Sequence, residues 1–128
     1  MLKSFYFLLF ITKLKVLYLT NIVKLIISNL KTTGEILRES REKKGLLLRH
    51  VSAQLDVDTA ILSKIERGER KATREQINKL AEILEINKES LIVQYLSEKI
   101  LYELKDENLG LQALKVAEKT IKYGVTKK

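Results

Sequence analysis

From residue 32 onward, apolar side chains return every three or four positions, and helix-start signals cut that recurrence into short lengths. Such spacing places the apolar residues of each length on one face of an α-helix, which must then bury that face against a neighbour. Strand signals are few. No proline interrupts a helix interior, and Leu, Ile, Lys and Glu, all good helix material, dominate. An all-α fold is the expectation. The 128 residues suffice for one hydrophobic core.

The start and stop signals divide the chain into helices. Thr32 and Glu35 form a Thr-x-x-Glu capping box, which predicts a first helix through "GEILRESREKK" that stops at Gly45. "LRHVSAQL", about residues 48–55, reads as a second, with Leu48, Val51 and Leu55 on one face. Asp56 and Val57 make a tight turn, and Asp58 is a suitable N-cap for a third helix over about 59–66. There Ile61, Leu62 and Ile65 point inward, while Thr59, Ala60, Ser63 and Lys64 point outward. Thr73 and Gln76 make a second capping box, followed by "REQINKLAEIL". Asn87 caps a fifth helix running to Leu104, with an apolar stripe at Ile92, Leu96, Ile100 and Leu104. Asp106 caps a sixth, ending near Tyr123 with Gly124 just beyond it. The tail "VTKK" is expected to fray.

The first thirty residues differ from the rest. "MLKSFYFLLFITKLKVLYLTNIVKLIISNLK" contains no acid, glycine, alanine or arginine, and its residue types are mostly those of codons rich in A and T. A spanning helix needs about 20 apolar residues in a row. Here Lys13, Lys15 and Lys24 intervene, and the lysine-free run from Ser4 to Thr12 is half that length. No small-residue cleavage site marks a signal peptide; the first alanine is Ala53. The remaining readings are an amphipathic, membrane-surface helix, a true membrane anchor, and upstream DNA translated from a start assigned too early, with Leu30 a candidate for the true start. A membrane is not the expected partner. The expected division is an extension over residues 1–31, a central domain over 32–91 and a helical extension over 92–128.

The net charge of +8 suggests nucleic acid, but its distribution weakens that inference. Residues 1–31 carry five lysines and no acid, whereas residues 32–86 carry eleven Lys and Arg against ten acids. The local arrangement has to carry the case. Two short helices joined by a three- or four-residue turn, the second with small polar residues outward, make a helix-turn-helix. The outward face has to approach base edges closely, so small hydrogen-bonding side chains suit it. Lys64, Arg67, Arg70 and Lys71 surround Gly68 just after it, diluted by Glu66 and Glu69.

The stretch from Gly34 to Leu91, above all "LSKIERGERKATREQINKLAEIL", resembles the lambda-repressor/Cro-like helix-turn-helix family of prokaryotic DNA-binding transcriptional regulators. The resemblance covers about residues 32–91. It implies a compact five-helix domain, with a dimer on a palindromic operator. It assigns base reading to Thr59, Ala60, Ser63 and Lys64, and phosphate contact to Arg67, Arg70, Lys71 and Arg74. Glu66 matches an acid that pairs with an arginine of the first helix, here Arg41. Three departures stand out. Leu47 and Leu48 replace the usual polar cap and glutamine, so that Arg49 is the candidate for the phosphate contact there. Ser40 replaces a core leucine, and Asp56 stands where glycine is common, although Asp tolerates the left-handed conformation.

Other chemistry finds little support in the sequence. Without cysteine there is no disulfide or thiol metal site. The one histidine, His50, has no ligand partner and reads as a surface residue. No catalytic set appears, and no enzyme activity, cofactor or metal is expected. Tyr95 and Tyr102 read as core or interface aromatics. The expected partners are double-stranded DNA and a second copy of the chain, in a prokaryotic cytoplasm. The alternative is an antitoxin or accessory factor acting through protein contacts of its C-terminal helices.

Overall fold

The computed structural model describes residues 2–28 and 30–124, so the tail beyond Gly124 lies outside the described residues. Among those described there are seven helices and no strand: α1 (Leu2–Ser28), α2 (Thr33–Lys43), α3 (Leu48–Leu55), α4 (Thr59–Glu66), α5 (Arg74–Ile83), α6 (Lys88–Glu103) and α7 (Gly110–Lys122). The fold is all-α.

Capping fixes the middle helices in place. The Thr32 hydroxyl accepts from Glu35 N–H while the Glu35 carboxylate accepts from Thr32 N–H, and Thr73 and Gln76 repeat the arrangement at α5. The Asn87 side chain accepts from Ser90 N–H at 2.9 Å at the start of α6. Asp58 stands at the N-cap of α4, but its side chain makes no capping bond.

The core forms where α2 to α6 meet. Leu37, Val51, Leu62, Ile77 and Leu80 are fully buried, one or two from each of α2 to α5, and Leu91 and Tyr95 add the first half of α6. Each such aliphatic side chain stabilises the fold by about 1.5–3 kcal/mol relative to leaving it in water. Helix α6 also reaches the start of α2. The Glu98 carboxylate accepts from Thr33 N–H, and Gln94 donates both to Glu98 and to the Lys31 carbonyl. An anion at the positive end of α2 is favourably placed.

Two expectations change in the C-terminal part. The stripe through Ile92, Leu96 and Ile100 is not the buried face of α6; Leu91 and Tyr95 are, and Leu96 and Ile100 are exposed. Asp106 does not cap the next helix. Turns closed by Glu107 N–H to the Leu104 carbonyl and Gly110 N–H to the Glu107 carbonyl occupy this segment, and α7 starts only at Gly110. Its apolar residues Leu111, Leu114, Val116 and Ile121 are exposed. Of these, Leu114 and Ile121 line an apolar groove of about 460 Å³ against Ile100 and Leu104. Helix α6 itself runs without a break across residues 91 and 92.

The lysines of the first thirty residues do not interrupt α1, because lysine is a good helix former. The stretch Leu2–Val23 is long and apolar enough to cross a membrane, and none of it is buried.

Candidate nucleic-acid interface

Helices α3 and α4 are joined at Asp56, Val57 and Asp58. Asp56 adopts the left-handed conformation (φ 59°, ψ 48°), and Val57 N–H closes the turn on the Ser52 carbonyl at 3.1 Å. A side-chain contact reinforces this turn: the hydroxyls of buried Ser52 on α3 and Thr59 at the start of α4 lie 3.0 Å apart. On α4, Leu62 and Ile65 face the core. Thr59, Ala60 and Lys64 are exposed and Ser63 is half-buried.

The back of α4 is held by a buried ion pair. Arg41 of α2 and Glu66 of α4 are 8% and 6% exposed. Arg41 Nε donates to Glu66 Oε1 at 2.7 Å and Nη2 to Oε2 at 2.9 Å, while Nη1 donates to the Leu46 carbonyl at 2.9 Å. Hydrogen bonding to the Glu66 carboxylate raises the Arg41 pKa despite the cost of burial, so the guanidinium stays charged. Close approach adds to the pair. A Cβ on Gly34 would lie 2.6 Å from the Ile65 and Glu66 carbonyl oxygens, so only glycine lets α2 start this near the end of α4.

Beyond α4, Gly68 takes φ 73° and the chain reverses, with Glu69 N–H returning to the Lys64 carbonyl at 2.9 Å. The cations that follow are all exposed but differ in their freedom. Arg67 donates to both Glu69 carboxylate oxygens, at 2.8 and 3.1 Å, and to the Ser63 hydroxyl at 2.6 Å. That bonding holds the Glu69 carboxyl below the ordinary carboxylate range. The Lys71 ammonium sits 3.2 Å from the centroid of the Tyr102 ring on α6. Arg70 forms no ion pair among the described residues, and Arg74 opens α5 at that helix's positive end. Arg49, exposed on α3, lies next to His50.

Leu47 occupies the N-cap of α3 and has no side-chain acceptor for the helix N–H groups. His50 compensates in part: its Nδ1 accepts from Leu47 N–H at 3.4 Å. His50 is exposed, as the sequence suggested. Three residues that shape this face escaped the sequence reading. Gly34 carries no local signal of close approach. Glu69 reads only as dilution of the basic run, although its position two residues after Arg67 brings the pair within reach. Tyr102 reads as a core or interface aromatic, and its approach to Lys71 depends on how α6 packs.

Two short helices crossing at a left-handed turn, the second exposing a small polar face flanked by cations, define a helix-turn-helix module. A family model described as a helix-turn-helix domain matches residues 34–97, half of the chain, and the chain belongs to that family. The domain supports DNA as its partner. The match runs six residues past Leu91 and takes in both core residues of α6, Leu91 and Tyr95. No curated protein matches the chain.

Proposed function

We propose that the protein is a sequence-specific, double-stranded DNA-binding transcriptional regulator of the lambda-repressor/Cro-like kind, with residues 32–91 as its DNA-binding domain. Helix α4 enters the major groove with its N-terminal half against base edges. Lys64 reads guanine acceptors, Ala60 touches a thymine methyl, and Thr59 and Ser63 serve several bases. Arg49, Arg70 and Arg74 meet phosphates directly and displace counterions. Arg67 and Lys71 join them by exchanging Glu69 and Tyr102 for phosphate. The observation that carries this reading is the exposure of Thr59, Ala60 and Lys64 on a short helix anchored from behind by Arg41 and Glu66.

A homodimer would place two such helices about 34 Å apart on a palindromic site. Residues 92–128 supply its surface, through the exposed apolar groove between α6 and α7. Selection from random duplex DNA tests the reading. The expected result is an enriched two-fold-symmetric site; no enrichment of any sequence would overturn it.

The exposed Leu96, Ile100 and Leu101 also favour a second reading, in which α6 and α7 dock a different protein, as an antitoxin or accessory factor does. Sedimentation separates the two. A dimer that Ile100→Glu with Leu114→Glu dissociates supports self-association. A chain that stays monomeric at every concentration while binding DNA tightly supports the second reading.

A further inference from the structure

Helix α1 presents an unusual surface. It is one unbroken run from Leu2 to Ser28, about 40 Å long at 1.5 Å per residue. Phe5, Phe7, Leu8, Phe10, Val16 and Leu19 on it are each half to two-thirds exposed. A soluble helix with this much apolar surface needs a cover. Its charge points to the nature of that cover: the first 31 residues hold five lysines and no acid.

We propose that α1 lies in the headgroup plane of an anionic phospholipid bilayer and holds the helix-turn-helix domain at that surface. The lysines decide between lying in the plane and spanning. A spanning α1 would bring Lys13 and Lys15 near the middle of Leu2–Val23, the most costly depth for a charge. In the plane, by contrast, Lys3, Lys13, Thr20 and Asn21 fall within roughly a third of the helix circumference, at about 100° per residue, a sector they share with Tyr6, Phe10 and Leu17. Leu8, Ile11 and Leu19 lie on the other side and enter the acyl boundary. Lys15 falls in the middle of that apolar side, and its long stem has to carry the charge back to the headgroups. Negative headgroups complement a segment with no acid of its own.

Co-sedimentation of the full chain with vesicles tests this. Vesicles of phosphatidylcholine with phosphatidylglycerol should bind it roughly tenfold or more tighter than phosphatidylcholine alone. Leu8→Asp with Leu19→Asp should abolish vesicle binding and leave DNA binding intact. Lys3→Gln with Lys13→Gln should reduce the preference for the anionic vesicles. Arg70→Ala with Lys71→Ala should leave vesicle binding unchanged while weakening DNA binding. Alkaline carbonate should release the chain from the vesicles.

Four results would overturn the proposal. One is equal binding to both vesicle types, or none. Another is loss of vesicle binding in the Arg70 and Lys71 variant, which would show that the DNA-facing cations make the contact. A third is retention through the carbonate wash, which would mean a spanning helix. The last is a native protein whose N-terminal sequence begins after Ser28.

Discussion

Arg41 and Glu66 meet through two parallel hydrogen bonds of 2.7 and 2.9 Å, both side chains almost wholly withdrawn from water. The pair joins the first helix of the domain to the last turn of α4, so it fixes the angle at which α4 presents its exposed face. Such a pair is weak evidence for stability as a unit, but removing one member leaves a buried charge alone. Arg41→Ala or Glu66→Ala should each cost about 3–5 kcal/mol in chemical denaturation. The double change Arg41→Met with Glu66→Leu should recover most of that. Recovery of folding without recovery of DNA affinity would separate the positioning role of the pair from its structural one.

Gly34→Ala tests the close approach of α2 to α4. The added methyl would meet two backbone carbonyl oxygens that cannot swing aside, so α2 must shift. The expected cost is about 1–3 kcal/mol in denaturation, despite the better helix propensity of alanine. Unchanged stability would mean that the two helices pack less closely than described.

Lys64 and Arg70 should fail in different ways. Lys64→Ala should relax sequence preference at one position, by about 1–3 kcal/mol, with the salt dependence nearly kept. Arg70→Ala should weaken binding to all sequences alike and reduce the slope of log K against log salt by about one. The measurement is a set of titrations on matched and mismatched duplexes at several salt concentrations. If neither change alters binding, α4 does not dock as proposed.

Glu69 restrains Arg67. Glu69→Gln removes an acid from the face and releases a guanidinium, so DNA affinity should rise and its salt dependence should steepen. Acid should act in the same direction. Bonding to Arg67 lowers the Glu69 pKa in the folded protein, so the stabilisation from this pair is complete above the ordinary carboxylate value. It is lost as pH falls from there through the lowered value. Both groups are well exposed, so the change in stability should be small, and the release of Arg67 should be read from binding instead. A Glu69→Gln protein whose affinity matches the wild type would show that Arg67 takes no part.

Much of the central fold can be read from local sequence, because capping and periodicity are local effects. Thr32 with Glu35 and Thr73 with Gln76 declare two helix starts within four residues each, and both boxes are formed. The tight turn at Asp56 and Val57 was legible for the same reason. The C-terminal helices were harder to read. Ile92, Leu96 and Ile100 recur as regularly as any buried stripe, and periodicity alone does not say which of two apolar faces a core will choose. The choice fell to Leu91 and Tyr95, which join the core cluster built by α2 to α5. At the interface, residue types and exposure were legible, but side-chain attachments were not. Arg67 is bound by Glu69 and Ser63, and Lys71 by a ring some thirty residues further along the chain.

The contrast between those two attachments has a chemical outcome. A carboxylate can be disarmed by a proton, so Arg67 is restrained by something that acidity can switch off. The face of the Tyr102 ring holds Lys71 through its π electrons and has nothing for acid to neutralise. Arg67 is therefore on an acid-labile leash and Lys71 on an acid-proof one.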